Sequence, residues 1–343
     1  MVKYIGILDF LELRERMVTV DVRSPSEFAK GHIPGAKNIP LFTDEERVLV
    51  GTTYKQKGRM KAIKQGLEIV GPQMLSKLEA AQACVGSQKE MIVHCWRGGM
   101  RSENMAWLFS RADIDCYILE GGYKTYRTYG REKLSKPKQL FVLGGLTGSG
   151  KTDILHVLEE KGEQLIDLEK LANHKGSAFG TIGENPQHQT EFFENLLFEQ
   201  LFTKNLNAPI WLEDESRTIG RNYIPDEFFS LMRSSPVLKL EMDKKHRVQR
   251  LVNDYVNSNL LELRQAVEKI RKRLGGLATQ KALDFLDQGD FSSAAHIILA
   301  YYDKTYLYGL SKRQPETIHP VPVAHDNPEE NAHILLDYAY SKV

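Results

Sequence analysis

Short apolar runs, separated by polar and glycine-containing segments, recur along the chain. In the first third these runs lie at residues 17–22, Glu90–His94 and Asp115–Leu119, and each has the length of a buried strand. Stretches with helical spacing alternate with them, including a short turn at 25–29 and a helix at 102–111. Alternating strands and helices predict a parallel sheet.

The alternation continues in the second part of the chain, with strands predicted at 140–143, 164–167, 209–212 and 237–242. From about residue 244 to 310 the pattern is helical, with dense charge and little glycine. We therefore predict one α/β domain over residues 1–128, a basic, proline-containing linker over 129–139, and a second α/β domain over 140–343. The second domain is expected to carry a helical subdomain at about 244–310.

Composition narrows the class of protein. The chain has 343 residues, 41% of them hydrophobic and 27% charged, and a formal net charge of +1. These values are typical of a globular protein and give no global signal for nucleic acid. Three cysteines, no secretory leader and no long apolar stretch predict a soluble, cytoplasmic protein without a membrane partner.

The most informative segment combines a strand end, a cysteine, two glycines and two arginines. Its residues are His94, Cys95, Trp96, Arg97, Gly98, Gly99, Met100, Arg101 and Ser102. The glycines allow the backbone to curl so that several N–H groups point at one centre, and a helix start and two guanidinium groups add positive charge. Such a site stabilises a thiolate and binds an anion, which predicts Cys95 as a nucleophile. Cys84 and Cys116 lie among ordinary residues and are expected to be structural.

This loop and the segment before it resemble the rhodanese family. Residues 21–28 (DVRSPSEF), 31–36 (GHIPGA) and 121–123 (GGY) are similar to the signature segments of that family. The resemblance implies that Cys95 carries a persulfide or perselenide, and that Asp21 and Arg23 support the loop from beneath.

The loop departs from sulfur-transferring rhodaneses in its length. Five residues separate Cys95 from Arg101, whereas that family usually has four, and the string then matches the HCxxGxxRS pattern of cysteine phosphatases. A longer loop makes a wider anion nest. The hypothesis is that it accepts a phosphate-sized donor, with selenophosphate as the candidate.

A second anion-binding motif follows the predicted strand at 140–143 and precedes a predicted helix at 153–161. Its residues are Gly145, Leu146, Thr147, Gly148, Ser149, Gly150, Lys151 and Thr152, which fit GxxxxGK[ST] in full. The amides and Lys151 are expected to hold phosphate groups, and the Thr152 hydroxyl can bind magnesium. The motif does not distinguish a nucleotide from a prenyl diphosphate.

Acidic and basic residues elsewhere are candidates for metal or RNA. Glu213 and Asp214 follow a predicted strand and are the candidate metal ligands, although the sequence leaves the metal undecided. The candidates for RNA contact are Arg217, Arg221, Lys244, Lys245, Arg247, Arg250, Arg271, Lys272 and Arg273, together with Lys269 and His246 in the same basic runs. Tyr301, Tyr302 and Tyr306 are candidates for stacking on an extruded base, with a core position as the alternative.

The pairing of these two loops resembles the tRNA 2-selenouridine synthase family over nearly the whole chain. The resemblance implies a rhodanese-like parallel-sheet domain followed by a P-loop NTPase-like α/β domain with a helical C-terminal part. It implies S-geranylation of wobble 2-thiouridine by geranyl diphosphate, then exchange of the geranylthio group with selenophosphate. No tightly bound cofactor is implied, magnesium is optional, and the partners are the tRNA anticodon loop and an enzyme that supplies selenophosphate.

Three other functions remain open from the residues. One is an ATP-dependent tRNA sulfurtransferase, and another is a rhodanese-fold cysteine phosphatase, for which Asp44 is the one weak candidate acid. The third is a non-enzymatic module that carries chalcogen or binds RNA. An apolar groove for a prenyl tail is expected near the P-loop, with Phe192, Phe193, Leu196, Leu197 and Phe198 as candidates that fit a core position better.

Overall fold

The computed structural model describes residues 1–342. The chain divides into two compact units, Met1–Glu132, here the N-terminal unit, and a C-terminal unit that begins at Lys133. A helix covers Gly122–Lys133. The first residues of the predicted linker are therefore helical.

The N-terminal unit alternates strands and helices. Its strands are β1 (Val2–Ile5), β2 (Val18–Asp21), β3 (Lys37–Asn38), β4 (Glu90–His94) and β5 (Asp115–Leu119). Its helices are α1 (Ile7–Leu13), α2 (Pro25–Lys30), α3 (Asp44–Lys57), α4 (Arg59–Val70), α5 (Met74–Val85), α6 (Met100–Ser110) and α7 (Gly122–Lys133). The strands form one sheet in the order β1-β5-β4-β2-β3, and every pair is parallel.

The core of the N-terminal unit follows from the apolar strands. Val20, Met91 and Ile118 are fully buried in β2, β4 and β5, and Phe109 of α6 packs in the same cluster. Strands of a parallel sheet are buried on both faces, which explains why the sequence of β4 contains a continuous apolar run. Strands β4 and β5 have the predicted bounds, and α6 starts two residues earlier than predicted, at Met100.

The C-terminal unit repeats this architecture. Its strands are β6 (Leu140–Gly145), β7 (Gln164–Ile166), β8 (Ile210–Glu213), β9 (Thr218–Ile219), β10 (Asn222–Tyr223), β11 (Val237–Glu241) and β12 (Ile318–Pro322). Its helices are α8 (Lys151–Glu160), α9 (Leu168–Ala172), α10 (Thr190–Thr203), α11 (Asp226–Ser234), α12 (Lys244–Tyr255), α13 (Leu260–Lys269), α14 (Arg271–Leu274), α15 (Gly276–Asp287), α16 (Phe291–Leu310) and α17 (Pro328–Lys342).

Five of these strands form a parallel sheet in the order β12-β11-β6-β8-β7, and β9 and β10 form a separate antiparallel pair. The sheet packs on α8 and α17 through a core that includes Phe141 and Trp211. A second apolar cluster, with Val267 and Leu283 at its centre, joins α13, α15 and α16. The predicted helical stretch at 244–310 consists of α12 to α16.

The fold confirms the predicted α/β class and positions both motifs. Cys95 follows β4, and the P-loop follows the main part of β6, so each loop lies at the carboxyl end of the middle strand of its sheet. Ligands of open parallel sheets bind at this edge. Within residues 1–342, no helix is both long and apolar enough to cross a membrane.

Candidate functional site

The cysteine loop curls directly from a strand into a helix. Cys95 follows β4 and is only 4% exposed, and α6 begins at Met100. The sulfur lies 3.4 Å from the Ser102 hydroxyl oxygen. The Ser102 hydroxyl oxygen also lies 2.9 Å from the Gly99 carbonyl oxygen. Its single proton can go to that carbonyl when Cys95 is a thiol that donates to Ser102, and to the sulfur when Cys95 is a thiolate.

The surroundings of Cys95 favour the thiolate. Burial acts to raise the pKa of Cys95, but hydrogen bonds from Ser102 and the Arg97 amide, together with the charge of Arg101, bring it below its ordinary value. An anion in this position is therefore stabilised by fixed donors rather than by water. The predicted nucleophile has the electrostatic environment that a nucleophile requires.

Two glycines allow the loop to close. Gly98 has a φ of +65° and Gly122 a φ of +58°. A Cβ on Gly122 would lie 2.4 Å from the Cys95 carbonyl oxygen and 2.5 Å from the Gly98 amide nitrogen. In the first turn of α7, the Tyr123 amide donates a hydrogen bond to the Cys95 carbonyl of the loop at 2.9 Å. The Gly-Gly-Tyr segment (residues 121–123) therefore packs directly against the cysteine loop.

Asp21 and Arg23, which the resemblance implies as supports of the loop, form a buried ion pair that contacts the Gly-Gly-Tyr segment through Tyr123. Arg23 is 1% exposed and its Nη2 donates to Asp21 Oδ2 at 2.6 Å and to the Gly31 carbonyl at 2.7 Å. The Arg23 guanidinium also lies over the Tyr123 ring, 4.0 Å from its centroid. This buried ion pair holds the base of α7, and α7 in turn holds the cysteine loop.

The remaining loop side chains differ in exposure. Arg97 is exposed, whereas Arg101 donates to Glu27 Oε2 at 2.8 Å and is held at the rim. Trp96 and Met100 are 37% and 43% exposed. The loop therefore offers a buried sulfur and amide nest with a cationic and apolar rim.

The P-loop adopts the conformation that its sequence predicts. Gly148 and Gly150 have φ of +81° and +71°, and α8 begins at Lys151. A Cβ on Gly148 would lie 2.8 Å from the Arg247 carbonyl oxygen. The loop is therefore fitted closely against α12, and it leads directly into the N-terminus of α8.

Lys151 and Ser149 are the P-loop side chains best placed to bind an anion. Lys151 Nζ donates to the Gly145 carbonyl at 3.2 Å, a contact that is easily exchanged for phosphate. Ser149 is 1% exposed, and its hydroxyl has no hydrogen-bond partner among residues 1–342. A buried hydroxyl without a partner costs free energy, which a bound phosphate oxygen would recover.

Carboxylates lie beside the loop. Thr152 Oγ1 donates to Glu169 Oε2 at 3.3 Å. Burial, and then the charge of neighbouring acids, raises the pKa of Glu213 well above its usual value. Burial also raises the pKa of Glu169, against the charge of Lys151, and that of Glu215. In the described part of the chain, no three acidic, histidine or cysteine side chains are grouped to hold a metal ion by themselves.

The two candidate metal ligands have different surroundings. Glu213 is fully buried and accepts a hydrogen bond from the Leu168 amide at 3.2 Å. Asp214 instead accepts from Arg313 Nη2 at 2.7 Å and from the Tyr306 hydroxyl at 3.1 Å. Asp214 is thereby engaged in a buried ion pair that ties the end of β8 to the segment after α16.

Helix α16 braces the P-loop, which the sequence did not indicate. The Tyr306 hydroxyl accepts from the Gly145 amide at 2.9 Å, so it links Gly145 to Asp214. Arg247 is 3% exposed, donates to the Thr147 carbonyl at 3.1 Å and pairs with Asp303 through both terminal nitrogens at 2.9 Å. Asp303 and Tyr306 are one helical turn apart and both act on the phosphate loop.

Several predicted RNA contacts are engaged within the C-terminal unit. Arg247 is the buried brace just described. Arg250 pairs with Asp326 at 2.8 Å and with Asp153. Arg217 pairs with Asp226, and the Arg221 guanidinium donates to backbone carbonyls of residues 187 and 188.

The other predicted RNA contacts lie nearer the surface. Lys244 donates to the His296 carbonyl at 3.2 Å. Arg271 pairs with Glu268 at 3.4 Å, and Arg273 contacts the Tyr301 hydroxyl at 3.4 Å. Lys245 and Lys272 are exposed. The basic runs thus divide into internal braces and surface charges, a division that spacing along the chain does not reveal.

An apolar pocket lies beside the P-loop, with a cavity volume of about 70 Å³ that opens to solvent. Thr147 of the P-loop lines it. The rest of its lining is Ser177, Phe179, Leu251, Val252, Tyr255, Leu263, Leu286, Phe291, Ala294, Ala295, Ile298, Leu299 and Tyr302. The α10 residues considered for a prenyl groove are not among them, and Phe193, Leu197 and Phe198 are fully buried core.

Comparison with known proteins agrees with this arrangement. The family model of the tRNA 2-selenouridine synthase AAA domain matches residues 138–324, and that of the rhodanese-like domain matches residues 9–128. The tRNA 2-selenouridine synthase of Shewanella frigidimarina (strain NCIMB 400) is 35% identical over 340 residues, covering 89% of this chain and 92% of that protein. The tRNA 2-selenouridine synthase of Bdellovibrio bacteriovorus is 35% identical over 346 residues, covering 88% of this chain and 90% of that protein. The chain therefore belongs to the tRNA 2-selenouridine synthase family of enzymes.

Proposed function

We propose that this enzyme replaces the sulfur of wobble 2-thiouridine in tRNA by selenium in two steps. Geranyl diphosphate alkylates the sulfur at the P-loop, and selenophosphate then supplies selenium at the cysteine loop. The observation that carries the proposal is the apolar pocket that shares Thr147 with the P-loop. Family membership supports tRNA as the substrate.

The P-loop is suited to the diphosphate of the first substrate. Lys151, the unpartnered Ser149 hydroxyl and the α8 N-terminus supply positive charge and donors. The charge of the departing diphosphate is stabilised by the same groups. Thr152 Oγ1 and Glu169 Oε2 lie 3.3 Å apart. If magnesium takes part, these two side chains would hold it together with diphosphate oxygens, and the ion would help to stabilise the charge of the diphosphate.

The adjacent pocket is suited to an apolar tail. Its lining is almost entirely aliphatic and aromatic, so it offers few partners for the polar groups of a nucleoside. Burial of an apolar chain is favourable by about 0.8 kcal/mol per methylene group. A diphosphate carrying a hydrocarbon therefore satisfies both halves of the site, and this favours a prenyl diphosphate over ATP.

The first step activates the base for the second. A bond forms between the base sulfur and the first carbon of the geranyl group, the carbon–oxygen bond to diphosphate breaks, and the N3 proton of the base passes to solvent. The sulfur is then part of a thioether-like group that can depart as geranylthiol. Unmodified thiolate sulfur is a much poorer leaving group from a pyrimidine carbon.

In the second step the cysteine loop holds selenophosphate by its phosphate group. The Cys95 thiolate attacks phosphorus, the phosphorus–selenium bond breaks, and hydrogen selenide is released beside the base. Selenide adds to the alkylated carbon and geranylthiol leaves, while water hydrolyses the cysteine–phosphate bond. The five-residue spacing between Cys95 and Arg101 supports a phosphate-sized nest, and an enzyme that makes selenophosphate is the expected supplier.

The cysteine phosphatase alternative needs a free general acid. Asp44 accepts hydrogen bonds from the Ser26 amide at 3.0 Å and the Ser26 hydroxyl at 2.6 Å. The hydrogen bonds from Ser26 and Ser24 lower the pKa of Asp44, so this carboxyl does not supply a proton readily. Selenide leaves as an anion and needs no such acid.

The test is mass spectrometry of tRNA nucleosides after incubation with geranyl diphosphate and selenophosphate. We expect Lys151→Ala to block geranylation and Cys95→Ser to geranylate normally but accumulate the S-geranyl nucleoside. Ala295→Trp, which fills the pocket, should raise the KM for geranyl diphosphate at least about tenfold. The matched control is Ala300→Trp, at an exposed position of the same helix.

Two results would contradict the proposal. One is full selenation by Cys95→Ser protein. The other is equal use of geranyl diphosphate by wild-type and Ala295→Trp protein, which would remove the pocket from the reaction. Sulfur incorporation that depends on ATP and needs no selenium would instead favour a sulfurtransferase.

A further inference from the structure

A cluster of cations occupies the corner between α3 and α4. Helix α3 ends at Lys57, Gly58 has a φ of +85°, and α4 begins at Arg59. No acidic residue occurs between positions 54 and 64. The basic corner, as we name it, consists of Lys55, Lys57, Arg59, Lys61 and Lys64.

The cations of the basic corner are exposed and uncompensated. All five side chains are exposed, and within residues 1–342 none forms an ion pair. In this they differ from Arg247 and Arg250 of the C-terminal unit, which are held by aspartates. A group of unpaired positive charges on one surface attracts a polyanion.

Helix stability accounts for only part of this cluster. Lys55 and Lys57 lie in the last turn of α3, where the helix dipole favours positive charge. Arg59 and Lys61 lie in the first turn of α4, where the dipole disfavours it. The second pair therefore opposes the stability of its own helix, so helix stability does not account for its placement.

The basic corner adjoins the cysteine loop. Arg59 Nη2 donates to Met100 Sδ at 3.8 Å, and Met100 is the last loop residue before Arg101. Trp96, on the same loop, is 37% exposed and can stack on a base. Positive charges and an exposed aromatic ring thus both adjoin the loop that carries Cys95.

We propose that the basic corner binds the phosphate backbone of tRNA and places the modified base at Cys95. The inference rests on tRNA being the substrate, as proposed above, and it assigns RNA contact to a surface of the N-terminal unit. Lysine and arginine side chains bind phosphates by neutralising them and releasing counterions. The basic corner supplies this attraction, and Trp96 and Met100 supply contact for the base.

The experiment measures binding of an unmodified tRNA transcript to the full chain by fluorescence anisotropy over a range of salt concentrations. We expect the Arg59→Gln, Lys61→Gln pair to raise Kd about tenfold and to reduce the slope of log Kd against log salt by roughly 0.7–0.9 per lost phosphate contact. Arg59→Lys, Lys61→Arg should bind like the wild type, because the charges remain.

The control pair is Lys3→Gln, Arg16→Gln, which removes two exposed cations of the same unit outside the corner. It should change Kd less than about twofold. An unchanged rate of Cys95 alkylation shows that the loop of each variant is intact. Unchanged Kd and salt slope in the Arg59, Lys61 pair, or an equal loss in the control pair, would overturn the proposal. Since no geranyl or selenium donor is used, failure of the proposed reaction is a separate result.

Discussion

At the scale of the residue, Cys95 and Cys116 show what decides thiol chemistry. Both are buried in the same unit. Burial raises the pKa of Cys116 to about 12, whereas at Cys95 hydrogen bonds and the charge of Arg101 outweigh the effect of burial and lower the pKa. Burial alone suppresses a thiolate, and only local donors reverse it.

The first prediction concerns alkylation of Cys95 by iodoacetamide. Because the pKa of Cys95 is lowered, the rate should rise with pH and level off below the pH at which an ordinary cysteine ionises. Ser102→Ala removes the hydrogen bond to the sulfur, so the midpoint should move to higher pH. The measurement is the rate at each pH by peptide mass spectrometry, with Cys95→Ser as the blank. A midpoint unaffected by Ser102→Ala would exclude the hydroxyl as the stabilising donor.

At the scale of the element, α16 connects the P-loop to the apolar pocket, the two halves of the proposed diphosphate site. Its first half lines the apolar pocket, with Phe291 and Ile298 among its contacts. Its second half carries Asp303, which pairs with Arg247, and Arg247 in turn donates to the P-loop carbonyl of Thr147. It also carries Tyr306, whose hydroxyl accepts directly from the P-loop amide of Gly145. A rigid helix therefore sets the position of the phosphate loop relative to the pocket. The sequence indicated base stacking or a core position for Tyr306, and the structure shows a hydrogen-bonding role.

The second prediction is that Tyr306→Phe loosens the P-loop. It removes one acceptor from the Gly145 amide and one donor to Asp214, at a cost of about 1–2 kcal/mol. We expect a lower Tm and weaker diphosphate binding by isothermal titration calorimetry, with the pocket unchanged.

The control for this variant is Tyr308→Phe on the same helix, where the ring is 65% exposed. It should leave both quantities at their wild-type values. If Tyr306→Phe bound diphosphate as tightly as wild type, the brace would have no part in shaping the loop.

At the scale of the whole molecule, each unit has its own sheet and its own core. The N-terminal cluster around Val93 and Phe109 is built only from residues of that unit, and the C-terminal cluster around Leu143 and Trp211 only from residues of the other. A chain of about 130 residues buries enough surface to fold alone. Cys95 and the P-loop thus belong to independently built parts.

The third prediction follows from this construction. Residues 1–133, expressed alone, should unfold cooperatively in urea. In this fragment the rate of Cys95 alkylation should still level off at a lower pH than for an ordinary cysteine. The measurements are circular dichroism and the iodoacetamide rate described above. A Val93→Asp version of the fragment buries a charge in the core and should not fold, which supplies the control. A wild-type fragment without a cooperative transition would show that the core depends on the rest of the chain.

Much of both loops was predictable because their geometry is local. Gly98, Gly148 and Gly150 are glycines for reasons of backbone conformation, and each loop joins a strand to a helix within about ten residues. The α/β class also followed from apolar runs, since β4 and β5 have the predicted bounds. The helices over 44–85 were not assigned, because their apolar pattern is weak.

The sequence by itself determined the position of the two glycine-containing loops and the residues that form them, since neighbours in the chain make that geometry. The tertiary structure alone decided the partners: Asp214 with Arg313, Arg247 with Asp303, the Tyr306 brace and the apolar pocket beside Thr147. The three side-chain contacts join residues more than fifty positions apart. The sequence does not show whether a charged or aromatic side chain faces solvent or a partner. Only folding selects among the partners, because pairing strength depends on distance and burial.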